Sequence, residues 1–198
     1  AGAAAGAAGT GPAGGGPTWL SGLAYACLRR GFWDVPPHAG GAGTLVTMGA
    51  GPEGDALGEA VLARLAAPVT VVRGAASDLA APAHATVLTA LPSLQDVLLA
   101  ADVVIATAGQ TSLEAAACGT PAVLLALDAF QAEQARRLAE AGAALLADSA
   151  EDAVRLATAL LEAPEQRAKL TAAGRATIDG RGARRVAEAL SRLRGAAA

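Results

Sequence analysis

Residues 102–144, DVVIATAGQTSLEAAACGTPAVLLALDAFQAEQARRLAEAGAA, run as strand, Gly/Thr/Ser turn, alanine-rich helix, strand and helix without a break. DVVIAT (102–107) and AVLLA (122–126) are short and almost wholly apolar, as strands covered on both faces of a parallel sheet are. The helix predicted over 131–141 ends at Gly142, where a C′ glycine belongs. On either side, TLVTM (44–48), VTVV (69–72), TVL (86–88) and ALL (144–146) supply four more strands. Leu57, Val61 and Leu65, then Leu94, Val97, Leu98 and Ala101, recur between them at helical spacing. From Glu151 onward two or three helices follow, the last striped by Val186, Leu190 and Leu193. Apolar strands alternating with amphipathic helices predict an α/β fold, a Rossmann-like doubly wound parallel sheet.

Three segments divide the 198 residues. Residues 1–17 hold only Ala, Gly, Thr and Pro, too little apolar side chain to offset ordering entropy, and read as a disordered linker. Residues 18–43 form a connector: WLSGLAYACLRRGFW (19–33) carries four of the five aromatics, and VPPHAGGAG (35–43) ends it. Residues 44–198 form the domain. Fifteen Lys+Arg against eighteen Asp+Glu give a net charge of −3, so no overall positive field draws nucleic acid. No window is apolar enough for a membrane span, the longest candidate being cut by Asp102. Cys27 and Cys118 lie far apart with no histidine at metal spacing, which points to a reducing cytoplasm and to no metal site.

In an open parallel sheet, ligands bind beyond the carboxyl ends of the strands, where turns lead into helix N-termini. After TLVTM stands Gly49-Ala50-Gly51-Pro52-Glu53-Gly54, glycine-rich enough for a phosphate to approach, yet neither a Walker A sequence nor GxGxxG. After DVVIAT stands Gly109-Gln110-Thr111-Ser112, a small, hydroxyl-bearing helix start suited to a diphosphate. Glu114 has two readings: an acceptor for vicinal sugar hydroxyls, or the glutamate of a Thr111-x-x-Glu114 capping box. Asp128, at the exit of AVLLA, is an N-cap candidate.

The 102–144 block resembles the nucleotide-binding core of glycosyltransferase B-type enzymes, and the fold it implies is their C-terminal half. Within that group the chain is most similar to the UDP-sugar hydrolases of pseudaminic acid biosynthesis and their spore-coat polysaccharide relatives. That narrower likeness rests on Gly22-x-x-Tyr25-x-x-Leu28-Arg29-x-x-Phe32, on TLVTMGAG (44–51) and on DGRGARRVAEAL (179–190). The resemblance implies that Glu114 binds the ribose of UDP. It places the diphosphate on Gly49, Gly51, Gly109, Gln110, Thr111 and Ser112, and turns Asp128 and Gln131 toward the donor sugar. Phe130 departs from the asparagine more usual before that glutamine, and Gln110 from a small hydroxyl residue.

The implied activity is release of UDP from an amino-deoxy sugar donor. Transfer to a sugar acceptor is the alternative, and a non-catalytic nucleotide-binding remnant a third reading. No cofactor is expected, and the catalytic group is unassigned: in such enzymes the base lies on an N-terminal Rossmann domain, the partner this chain would need. His38 and His84 read as solvated loop residues. From Arg167 onward eight cations face two acids, Asp179 and Glu188, either a solvated face or a surface for that partner.

Overall fold

The computed structural model describes residues 8–10, 18–66 and 68–196. In chain order the elements are β1 (Ala8–Thr10), β2 (Thr18–Leu20), β3 (Thr44–Thr47), α1 (Pro52–Leu62), β4 (Val69–Arg73), β5 (Ala85–Thr89) and α2 (Gln95–Ala100). There follow β6 (Val103–Thr107), α3 (Gln110–Cys118), β7 (Ala122–Leu125), α4 (Ala129–Glu140), β8 (Leu145–Leu146), α5 (Ala150–Glu162), α6 (Pro164–Thr177) and α7 (Gly182–Ala196). Within 1–17, read above as a linker, Ala8–Thr10 pairs antiparallel with Thr18–Leu20, and the remainder lies outside the described residues.

Strands β3 to β8 form one parallel sheet in the order β5-β4-β3-β6-β7-β8, so the predicted doubly wound α/β fold is the observed one. Every residue of β3, β6 and β7 is buried. Successive side chains alternate between the faces of a strand. Leu45, Val104 and Leu124 therefore pack with Phe32, Leu98 and Leu138 on one face, and Val46, Ile105 and Val123 with Val61, Leu62 and Leu160 on the other.

Two boundaries move from their predicted places for physical reasons. Asp102 does not lead the strand: its carboxylate accepts from the amides of Gly41 (3.0 Å) and Gly43 (2.9 Å), fixing the glycine turn that feeds β3. Helix α4 starts at Ala129 rather than 131, because Asp128 caps it by accepting from the Gln131 amide at 2.8 Å. Gly142, at φ 70°, takes the left-handed position after that helix.

The connector is two short 3-10 turns, Leu23–Tyr25 and Arg30–Phe32, with Phe32 wholly buried beneath the domain. It is clamped by the segment before α7. A Cβ on Gly182 would stand 2.1 Å from the Ala26 carbonyl oxygen, and one on Gly180 would stand 2.2 Å from that of Phe32. Arg185 then donates to the Ala24 carbonyl (3.0 Å) and pairs with Asp179. Two of the three motifs behind the narrower resemblance thus touch each other.

Candidate functional site

The order in which strands are added to the sheet reverses between the parallel neighbours β3 and β6. From β3 the order runs through β4 to the edge strand β5, and from β6 through β7 to the other edge at β8. A crevice at such a switch point, beyond the carboxyl ends of the strands, is where doubly wound sheets take ligands. Both glycine turns lie there, since Thr47 of β3 is in register with Ala106 of β6. A Cβ on Gly49 would come within 3.3 Å of Thr107 Oγ1, so the two turns adjoin. On Gly51 or Gly109 it would meet nothing within 4 Å, so both glycines border open space.

Gly109 precedes α3 with extended backbone and no side-chain cap; its own amide donates to the Thr107 carbonyl (2.8 Å) and that of Ser112 to the Gly109 carbonyl (3.1 Å), which leaves the amides of Gln110 and Thr111 for a ligand. The turn is held from its inner side. Ser112 is buried and donates to the Gly109 carbonyl at 2.7 Å. Gln134 of α4 places Nε2 within 2.8 Å of the Ala108 carbonyl, 2.7 Å of the Gly109 carbonyl and 2.9 Å of Ser112 Oγ. With the Ala108 and Gly109 carbonyls tied inward, the Gln110 and Thr111 amides are the donors the turn keeps for an anion. Ser112 therefore shapes the turn from within, while Thr111 and the exposed Gln110 stand at its rim. The Gln110 amide reaches across to the Cys27 carbonyl at 3.3 Å.

The capping-box reading of Glu114 fails. Because α3 begins at Gln110, Glu114 is its fifth residue, beyond reach of the first free amides. It is only 1% exposed, and its Oε1 receives Arg29 of the connector through Nε (3.0 Å) and the guanidinium terminus (2.9 Å). Burial raises the Glu114 pKa and the Arg29 bond and charge pull it back, burial prevailing. Asp128 and Gln131 sit one strand over, at the exit of β7, and are engaged locally: Asp128 caps α4, and Gln131 Oε1 accepts from the Leu127 amide at 3.1 Å. Between connector, α3 and α4 opens a pocket of about 300 Å³, lined by Leu20, Tyr25, Leu113, Phe130 and Gln134. Phe130 stands 77% exposed on its rim.

Neither histidine serves this end of the sheet. His38 Nε2 donates to the Ala101 carbonyl (2.8 Å) and His84 Nε2 to that of Leu65 (3.1 Å), both at the edge where strands enter. Cys118 is buried, and burial together with the Glu114 charge pushes its thiol up to about 12, so it offers no nucleophile. Among the described residues no three His, Cys, Asp or Glu side chains gather as a metal site, and no helix is long and apolar enough to cross a membrane.

Sequence reasoning missed Arg29 and Gln134. Arg29 stood inside a quoted motif with no role, and Gln134 lies one turn beyond Gln131 on α4, a spacing that places it toward the α3 turn.

A doubly wound sheet with paired glycine turns at its switch point defines a nucleotide-binding α/β domain. The chain belongs to the family of the glycosyltransferase family 28 C-terminal domain, which matches residues 73–190. Similar solved structures include the glycotransferase of kitacinnamycin, at 22% identity and TM-score 0.60 over 84% of this chain and 47% of that one. The spinosyn rhamnosyltransferase SpnG follows at 21% and 0.58, over 76% and 46%. MurG of Acinetobacter baumannii is 21% identical at 0.55, over 87% and 55%. This chain therefore spans about half the length of each. No curated protein sequence matches it.

Proposed function

We propose that this domain binds the UDP moiety of a nucleotide sugar and forms the donor half of an enzyme acting on it. One observation carries the reading: two open glycine turns on adjacent strands at the switch point, one leading into an uncapped helix N-terminus. The diphosphate lies against Gly49, Gly51, Gly109, Gln110 and Thr111, with Ser112 bracing the turn. Glu114 accepts from the ribose, and Asp128 and Gln131 border the sugar. The domain works in the cytoplasm, where two unpaired cysteines persist.

With both histidines at the far edge, the base comes from elsewhere, and we assign it to an N-terminal Rossmann domain that meets the connector and α7. Hydrolysis of an amino-deoxy sugar donor is the reading that rests on the resemblance of the 22–32 and 179–190 motifs. Transfer to a sugar acceptor is the reading favoured by the family match. Calorimetry with UDP and a UDP-release assay with candidate donors test the proposal. Saturable UDP binding without turnover by this chain is the expected result. Absence of UDP binding overturns the donor site, and turnover by this chain alone overturns the assignment of the base.

A further inference from the structure

We propose that Arg29 of the connector is a positioning residue for the nucleotide, acting through Glu114; this rests on the donor-site reading. Both Arg29 contacts fall on Oε1 of Glu114. Oε2 has no partner among the described residues, and no fully buried side-chain oxygen or nitrogen there goes without one. Oε2 therefore keeps a window to solvent even though the residue is almost entirely enclosed. One carboxylate oxygen is locked, and the other is left to accept from a diol.

Arg29 is itself fixed at several points. It donates to the Pro92 carbonyl at 3.0 Å, and its guanidinium lies 5.6 Å from the centre of the buried Phe32 ring. The Gln110 to Cys27 contact ties the same connector to the phosphate turn. The connector thus joins the turn for a diphosphate to the acceptor for a ribose, and completes the site instead of merely leading into the domain. Among the described residues the charge against Glu114 is Arg29. Cys118, one turn further along α3, feels the Glu114 charge, and Arg175 of α6 faces that thiol without reaching Glu114.

Without the guanidinium, burial acts unopposed and the carboxyl takes up a proton at higher pH. A protonated Glu114 accepts ribose hydroxyls poorly. Arg29→Gln is thus expected to weaken UDP about tenfold, the scale of a lost charged hydrogen bond, with the loss growing as pH falls. The binding of 2′,3′-dideoxy-UDP, which lacks the diol, should stay unchanged. Arg29→Lys, which keeps charge but not the paired N–H geometry, should recover part of the loss.

Equal weakening of both nucleotides means that Arg29 only supports the fold and overturns the inference. A gain in UDP affinity, as expected if the connector plugs the site, also overturns it. Failure of the parent chain to bind UDP would sink the donor-site reading; the coupling is then read separately, from the Glu114 carboxyl carbon-13 shift against pH. A titration unmoved by Arg29→Gln overturns the inference whatever the ligand result.

Discussion

Glu114 carries opposite consequences for stability and for binding. Its folded pKa lies above the unfolded value of 4.5, with burial the larger cause and Arg29 opposing it. Such a group contributes stability fully present below that unfolded value and lost as pH rises through the folded one. Glutamine imitates the protonated side chain at every pH. The melting temperature of the parent, relative to Glu114→Gln, is therefore expected to fall as pH climbs from below 4.5 through the raised value. UDP affinity at neutral pH should move the other way, the variant losing about 1.5–3 kcal/mol, the scale of a hydrogen bond to a charged group. A melting-temperature difference constant across that range sinks the stability claim, and equal UDP affinity sinks the ribose role. Asp128 is simpler, since its carboxylate caps α4. Asp128→Ala should cost about 1 kcal/mol in chemical denaturation, and an unchanged midpoint counts against the cap. This cap was legible in the sequence, because Asp after an apolar run and before helical spacing is a local pattern. The fate of Glu114 was not: whether a Thr-x-x-Glu run caps a helix depends on where the helix begins, and Gly109, through its own extended backbone, starts α3 before Thr111.

At the scale of elements, α7 is tied down near its start, while Leu190 and Leu193 further along stand exposed. The Arg185 guanidinium holds the Asp179 carboxyl well below its ordinary 3.8, at about 2, and Arg185 also donates to Ala24. A carboxylate with a lowered folded pKa contributes stability present above the unfolded value and lost as pH falls through the folded one. Asp179→Asn is therefore expected to cost about 1 kcal/mol near neutrality, a modest figure because the pair is partly exposed. The gap to the parent should close between pH 3.8 and about 2, as followed by melts across that range. Gly182→Ala tests the same junction sterically. Its Cβ would meet backbone, not a yielding side chain, so a loss of about 1–3 kcal/mol is expected, and a neutral result would mean that α7 can shift off the connector. The six strands were legible because each apolar run is local. The α7–connector junction was not, because the residues it joins lie as far as 161 positions apart in the chain. The same separation hid the Arg29–Glu114 pair, 85 positions apart.

On the scale of the whole molecule, the central strands are covered on both faces, but apolar side chains remain in water elsewhere. Val186 of the predicted α7 stripe is half-buried against the domain, whereas Leu190 and Leu193 stay 56% and 54% exposed. Trp19, at the start of the connector, is exposed as well. In a chain with five aromatics, large apolar groups left in water at two neighbouring segments mark a contact surface. Since the chain spans about half of the structures it resembles, we assign the surface to the proposed N-terminal Rossmann domain. That contact would also carry the base to the open glycine turns, because the connector touching α7 is the one that bridges to the Gln110 side chain. Supplying the proposed N-terminal Rossmann domain in trans is therefore expected to slow amide hydrogen exchange in residues 22–33 and in α7. Exchange in β6 and β7, already buried on both faces, should not change. Leu190→Glu combined with Leu193→Glu should abolish the α7 protection while leaving UDP affinity intact. Reconstitution that alters neither segment removes the assignment of this surface to a partner domain.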